Sequence, residues 1–264
     1  MSNQEQSQND REYLGYKPID YEVYTMTQKE KMGYIILAAI FMFSLAYIFY
    51  HSVILSLIFT PLALLYPKVK TKEIVWKRKN DLMLQFKDMI YSLSSSMSAG
   101  RSLEPSFKEV LRDLEIIYPN KGTHIINEVE NIVKKLEINE KIADILFDFA
   151  KRSHSEDIIN FVEVLKSCKN AGGDLVEVIR ISTTVINDKI EIKNEIDTMI
   201  AQKKFEQKLM SMAPVGMILL LSATAGDYME PIFTTWQGRV AMTIAMITIM
   251  ISYFVSQKIM EIKV

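Results

Sequence analysis

Residues 172–217 read GGDLVEVIRISTTVINDKIEIKNEIDTMIAQKKFEQKLMSMAPVGM, and the fold turns on how that run is parsed. Ala171, Gly172, Gly173 and Asp174 make a helix stop followed by a restart. Asp174 is a favoured N-cap, and Glu177 three places on completes a capping-box pattern, so a helix is expected from Leu175. Leu175, Val178, Ile179, Val185, Ile186, Ile196, Met199 and Ile200 then recur at helical spacing. No Gly or Pro follows until Pro214, and charged residues end at Lys208. The expectation is one nearly continuous helix that rises about 50 Å through water and then enters a bilayer.

The 264-residue chain has room for one or two domains, and its net charge of -1, with 24% charged and 49% hydrophobic residues, averages to an ordinary soluble protein. The average conceals segregation: residues 32–67, 209–226 and 240–257 carry no Asp, Glu, Lys or Arg, and highly charged blocks alternate with them. A near-neutral balance gives no electrostatic reason to expect nucleic acid. The one cysteine, Cys168, excludes an internal disulfide and a Cys-based zinc site. It sits in the apolar pattern Ile158, Ile159, Phe161, Val162, Val164, Leu165 and reads as a buried structural thiol.

Residues 1–31 are expected to form a polar N-terminal tail, rich in Gln, Asn and Ser and punctuated by Tyr13, Tyr16, Tyr21 and Tyr24. The bland reading is a solvated tail; the tyrosines would otherwise lie on a membrane surface or on a partner. The segment is acidic and the apolar run behind it is long, unlike a signal peptide. As a single helix, residues 32–67 would be about 54 Å long, well beyond the ~30 Å of a hydrocarbon core. A hairpin is more economical, with spans at about 33–49 and 52–66 turning near Tyr50, His51 and Ser52, and with Pro61 kinking the second arm. His51 then sits solvated at the tip. A second hairpin, 209–257, has spans at about 209–226 and 240–257 and a loop holding Asp227, Glu230 and Arg239. Lys68, Lys70, Lys72, Lys77, Arg78 and Lys79 directly follow the first hairpin, and Lys203, Lys204 and Lys208 precede the second, which places residues 68–208, both termini and the 258–264 tail in the cytoplasm.

The domain between the hairpins reads as helices throughout. A first runs from Trp76 to Ser98 and stops at Ala99 and Gly100; Ser102 caps the next. A turn at Pro119, Asn120, Lys121 and Gly122 precedes a third helix from about Thr123 to Leu136. Asn139 is expected to begin a fourth, and Ser153 with Glu156 a fifth. Short connections imply an antiparallel bundle. The fold class is therefore all-α: a multi-pass membrane protein with a cytoplasmic antiparallel helical bundle between two transmembrane hairpins.

No constellation of catalytic residues stands out. There is no phosphate-loop pattern, and His51, His124 and His154 lack metal-ligand spacing. Glu191, Glu195 and Asp197 interleave with Lys189 and Lys193 as on a wet helix face. Ser92, Ser94, Ser95, Ser96 and Ser98 have no base close in sequence, so they read as small residues for close helix contact. No cofactor, metal site or enzymatic activity is expected. A membrane channel or small-solute transporter is the alternative class, but no span carries an ionisable residue to line a path.

Residues 97–107, Met-Ser-Ala-Gly-Arg-Ser-Leu-Glu-Pro-Ser-Phe, behind the basic-entry helix of residues 78–98, resemble the Ala-Gly-x-Ser-Leu entry of the type II secretion system protein F domain. Ala171, Gly172, Gly173, Asp174 and Leu175, then a long helix, Pro214 and an apolar segment, resemble its later part. The resemblance covers about residues 70–260. With one such domain between two hairpins the chain is most similar to the B and C proteins of tight-adherence (Flp-type) pilus assembly. The short first hairpin and the N-terminal tail depart from that pattern. The resemblance implies an inner-membrane platform that oligomerises with itself or a paralogue, sits among membrane lipids, holds a cytoplasmic assembly ATPase and passes its motion to pilin or pseudopilin subunits. It also implies that Lys77, Arg78 and Arg101 contact the ATPase, with Gly100, Ser102, Gly172, Gly173, Asp174 and Pro214 as structural positions.

Overall fold

A computed structural model describes residues 19–120 and 123–260; Tyr13 and Tyr16 lie outside them. Every regular element among the described residues is helical: α1 Gln28–Tyr50, α2 Val53–Phe59, a 3-10 turn Thr60–Leu65, α3 Tyr66–Ser98, α4 Leu103–Ile117, α5 His124–Glu137, α6 Ile142–Ser153, α7 Glu156–Ala171, α8 Leu175–Thr224, α9 Gly226–Thr234 and α10 Trp236–Met260. The chain divides into two compact units. The described part of Met1–Thr25 joins Lys72–Glu191 in the first, and Met26–Thr71 joins Ile192–Val264 in the second.

The first unit holds one apolar core to which α3, α4, α5, α6, α7 and the start of α8 all contribute, through residues such as Phe86, Phe107, Val129, Phe149, Phe161 and Ile186. Successive helices pack as neighbours, α4 on α5, α5 on α6 and α6 on α7. Phe86 anchors the centre, edge-on to Phe161 at 5.4 Å and tilted against Phe149 at 6.2 Å between centroids. Exposed ion pairs lie over this core, Lys108 to Glu137 and Lys169 to Glu104 at 2.8 Å, and Lys189 to Asp157 at 2.8 Å. Such pairs contribute roughly 0–1 kcal/mol each, so the apolar core dominates stability.

Helix ends explain several departures from the expected boundaries. Asn139 does not start a helix; it is left-handed at φ 61, and the Glu140 amide reaches back to the Lys135 carbonyl at 3.1 Å, which closes α5. Ser153 is the last residue of α6; His154 follows at φ 48, and Ser155 is the N-cap of α7. The first helix of the domain begins at Tyr66 rather than Trp76, because Pro67 falls in its first turn, where a missing N–H costs nothing. Cys168 is half-buried rather than buried.

In the second unit α1 ends at His51, which is left-handed at φ 44 and exposed, and α2 starts two residues on and packs against α1. The second arm of that expected hairpin is not one helix. It breaks into the seven residues of α2 and a 3-10 turn that contains Pro61, whose ring and missing N–H disrupt the α ladder. Of the described helices, Gln28–Tyr50 alone is long and apolar enough to cross a membrane, and only 17% of its most apolar window is buried within the protein. A soluble core helix would be mostly buried, whereas Ile36, Leu37, Ile40 and Phe41 are exposed here. The small core of this unit joins Phe49 and Tyr50 to Met242 and Met246, and the Tyr50 hydroxyl is 2.9 Å from Thr243 Oγ1.

Candidate interaction site

By composition residues 1–31 read as a disordered or loosely docked tail; in the structure residues 19–24 dock on the first unit, and α1 already begins at Gln28. Residues 19–27 form no helix or strand, yet Tyr21 is fully buried in the core of the first unit. Every other buried residue of that core cluster lies on a helix. The Tyr21 hydroxyl donates to Glu128 Oε1 at 3.0 Å, across 107 positions of sequence, and its backbone N–H donates to the Arg152 carbonyl at 3.0 Å.

Glu128, on α5, is fully buried, and Arg152, on α6, answers it with a two-pronged contact: Nη1 and Nη2 each donate to one carboxylate oxygen at 2.7 Å. Arg152 Nε donates to Asp148 Oδ2 at 3.0 Å, and Nη1 also reaches the Ile19 carbonyl at 3.2 Å. The planar guanidinium matches this fork geometry as a lysine could not. A buried charged pair is tolerated only when its remaining hydrogen-bonding capacity is filled, and Tyr21, Ile19 and Asp148 supply that here.

Around this buried centre the flanking residues meet complementary groups. The left-handed turn after α6 places His154 between two carboxylates, Nε2 3.1 Å from Asp20 Oδ1 and Nδ1 2.9 Å from Glu22 Oε2. Lys79 lies 3.7 Å from Glu22, and the Arg78 guanidinium stands 5.1 Å from the Tyr24 ring centroid. Burial pushes the Asp20 carboxyl up, but the Glu22 amide and His154 outweigh it and hold Asp20 below the usual carboxylate range. His124 meets the Tyr21 ring edge-on at 5.5 Å; burial, helped by Arg78, keeps its imidazole below the ordinary histidine range. The His124 Nδ1 atom is buried without a hydrogen-bond partner.

The residues expected to touch a partner do not form one patch. Lys77 and Arg78 lie early on α3 and Arg101 follows its far end, about 30 Å of helix away. Lys77 is exposed, Arg78 faces Tyr24, and Arg101 pairs with Glu109, whose carboxyl it pulls below the usual range. The two Ala-Gly turns share a backbone state, with Gly100 at φ 89 and Gly172 at φ 68. The Gly173 amide bonds the Cys168 carbonyl at 3.0 Å, which closes α7. Asp174 Oδ1 accepts from the Val176 and Glu177 amides at 2.9 and 3.2 Å, so it caps α8; Glu177 turns away to Arg180 at 2.8 Å instead of completing a box. Ser102 has extended backbone at the α4 cap but makes no side-chain capping bond. Pro214 lies inside α8. Ser92 donates to Asp113, so the serine-rich end of α3 contacts α4. Among the described residues no three His, Cys, Asp or Glu side chains gather to hold a metal ion. Comparison with models of known families, with characterised proteins and with solved structures finds nothing that matches this chain.

Proposed function

We propose that this chain is a multi-pass inner-membrane platform protein of a pilus-assembly or type II secretion-like machine, coupling a cytoplasmic assembly ATPase to pilin subunits. The observation that carries the reading is α8, 50 residues without a break. Its first part gives Ile179, Ile186 and Ile190 to the core of the first unit, and its last part is the uncharged stretch before Thr224. Between Asp174 and Pro214 such an element passes a push or rotation along its hydrogen-bonded backbone without an intervening hinge. The left-handed turn at Gly172, the cap at Asp174 and the equivalent turn at Gly100 support it, because they are the positions through which the sequence resembles the secretion F domain. In this reading the first unit is a cytoplasmic antiparallel bundle and the uncharged segments are membrane hairpins, with a second copy or a paralogue completing the platform.

The test is co-purification of the membrane-embedded chain with the assembly ATPase of its own cell. Lys77→Glu and Arg101→Glu are made separately, since about 30 Å of helix parts the two positions. Loss of the ATPase with either variant maps the contact; retention with both removes these residues from it. Failure of the unaltered protein to capture an ATPase or a pilin by crosslinking in cells overturns the reading.

A further inference from the structure

We propose that the face of the first unit formed by Glu128, Arg152, His154 and Lys79 is a recognition site for an extended, acidic, tyrosine-bearing peptide, with residues 19–24 as its tethered occupant. The inference stands apart from the platform reading. Its contacts are those of a ligand. Asp20, Tyr21 and Glu22 form an acid–tyrosine–acid triplet whose hydroxyl goes to a buried carboxylate at 3.0 Å and whose two acids go to the two nitrogens of one imidazole at 3.1 and 2.9 Å. The occupant supplies one deep aromatic anchor and has no regular structure of its own, the usual pattern of an anchor residue in a pocket ringed by polar contacts.

The charged pair itself survives without the occupant. With the segment withdrawn, Glu128 keeps both bonds from Arg152, and Arg152 keeps Asp148. The charged pair is therefore not orphaned, and water can take the place of the hydroxyl and the Ile19 carbonyl. The segment belongs to the same chain as the face it covers, so its binding is intramolecular. An acidic tyrosine segment offered in trans must compete with that. A phosphotyrosine is excluded, since its phosphate would meet the Glu128 carboxylate in a buried setting.

The experiment uses the full chain in lipid nanodiscs and a fluorescent peptide of residues 19–25. The Asp20→Ala/Tyr21→Ala/Glu22→Ala variant should bind the peptide saturably, and the unaltered chain about tenfold or more weaker. A peptide with Tyr21→Ala, or with that tyrosine phosphorylated, should lose binding by a similar factor. A folded variant that fails to bind, or binds all three peptides alike, overturns the proposal. If the variant does not fold, hydrogen exchange on the unaltered chain decides. Tyr21 and Glu22 amides that exchange well before those of α5 and α6 mark a separable occupant, and exchange in step with those helices makes the segment part of the frame and refutes the idea.

Discussion

Glu128 and Arg152 form a two-pronged contact in the first unit, and Glu128 depends on it because its carboxylate is fully buried and accepts from Arg152 at both oxygens. Arg152→Met leaves Glu128 buried without its partner and should destabilise the unit by about 3–5 kcal/mol, while Glu128→Leu in the same chain should recover much of that loss. Thermal melts of the two single variants and the double variant measure the coupling directly. His124 makes the same unit sensitive to acid. Its imidazole is held below the ordinary value, mainly by burial, so the unfolded chain takes up the proton first as pH falls below about 6.5. Its contribution is full above that pH and is lost as pH drops through the folded value. His124→Phe keeps a ring against Tyr21 and should flatten the loss of melting temperature between pH 7 and pH 5. None of this was legible in the sequence. Tyr21 and Glu128 are 107 positions apart, and no periodicity links an unstructured segment to the helix it docks on. The one available signal was local, Asp20-Tyr21-Glu22 in an otherwise polar run, and tail composition outweighed it.

The helices themselves were legible, because each buries a face whose spacing is visible in the chain, and the errors fell at their ends. Asn139 and His154 adopt left-handed backbone without being glycine, so turns formed where the sequence pattern had begun a helix or placed a cap. In α8, Ile179 and Ile186 are buried as the spacing implied, whereas Val185 from the same pattern is 59% exposed, since only one side of this stretch meets the core, and Met199, 74% exposed, lies past the part of α8 that belongs to the first unit. Ile186→Ala should therefore cost about 2–4 kcal/mol and Val185→Ala well under 1 kcal/mol, a contrast that urea titration of the helical signal resolves. Two glycines separate two kinds of constraint. At Gly172 an added Cβ meets nothing within 4 Å, so Gly172→Ala pays only for its positive φ, about 1 kcal/mol. At Gly238 the Cβ would lie 2.3 Å from the Ile232 carbonyl oxygen and 2.6 Å from its Cα, so the junction of α9 and α10 must shift. Gly238→Ala should lower the melting temperature more than Gly172→Ala does, and equal effects would contradict the packing at that junction.

For the molecule as a whole, the sequence divides charge from apolar stretches more sharply than the fold divides elements: α3 and α8 each begin in one unit and end in the other. The proposed layout puts residues 68–208 on the cytoplasmic side, and the cysteine count makes that testable, because Cys168 is the one native thiol. Cys168→Ala removes this half-buried group, and single cysteines are then placed at Lys108, Lys193 and Glu230, two charged positions within 68–208 and one on α9, the connection that the sequence read as a loop and that the layout assigns to the opposite face. Whole cells exposed to a membrane-impermeant maleimide should label the Glu230 site alone, and opened cells all three. The cluster Lys68, Lys70, Lys72, Lys77, Arg78 and Lys79 is the physical basis, since basic residues beside a span are retained in the cytoplasm. Labelling at Lys108 or Lys193 in sealed cells would contradict a cytoplasmic 68–208 and put that position outside, where no ATPase could act on it. Lack of labelling at Glu230 in sealed cells, with labelling once they are opened, would mean that the chain does not return through the membrane as two hairpins and that α1 is its principal anchor.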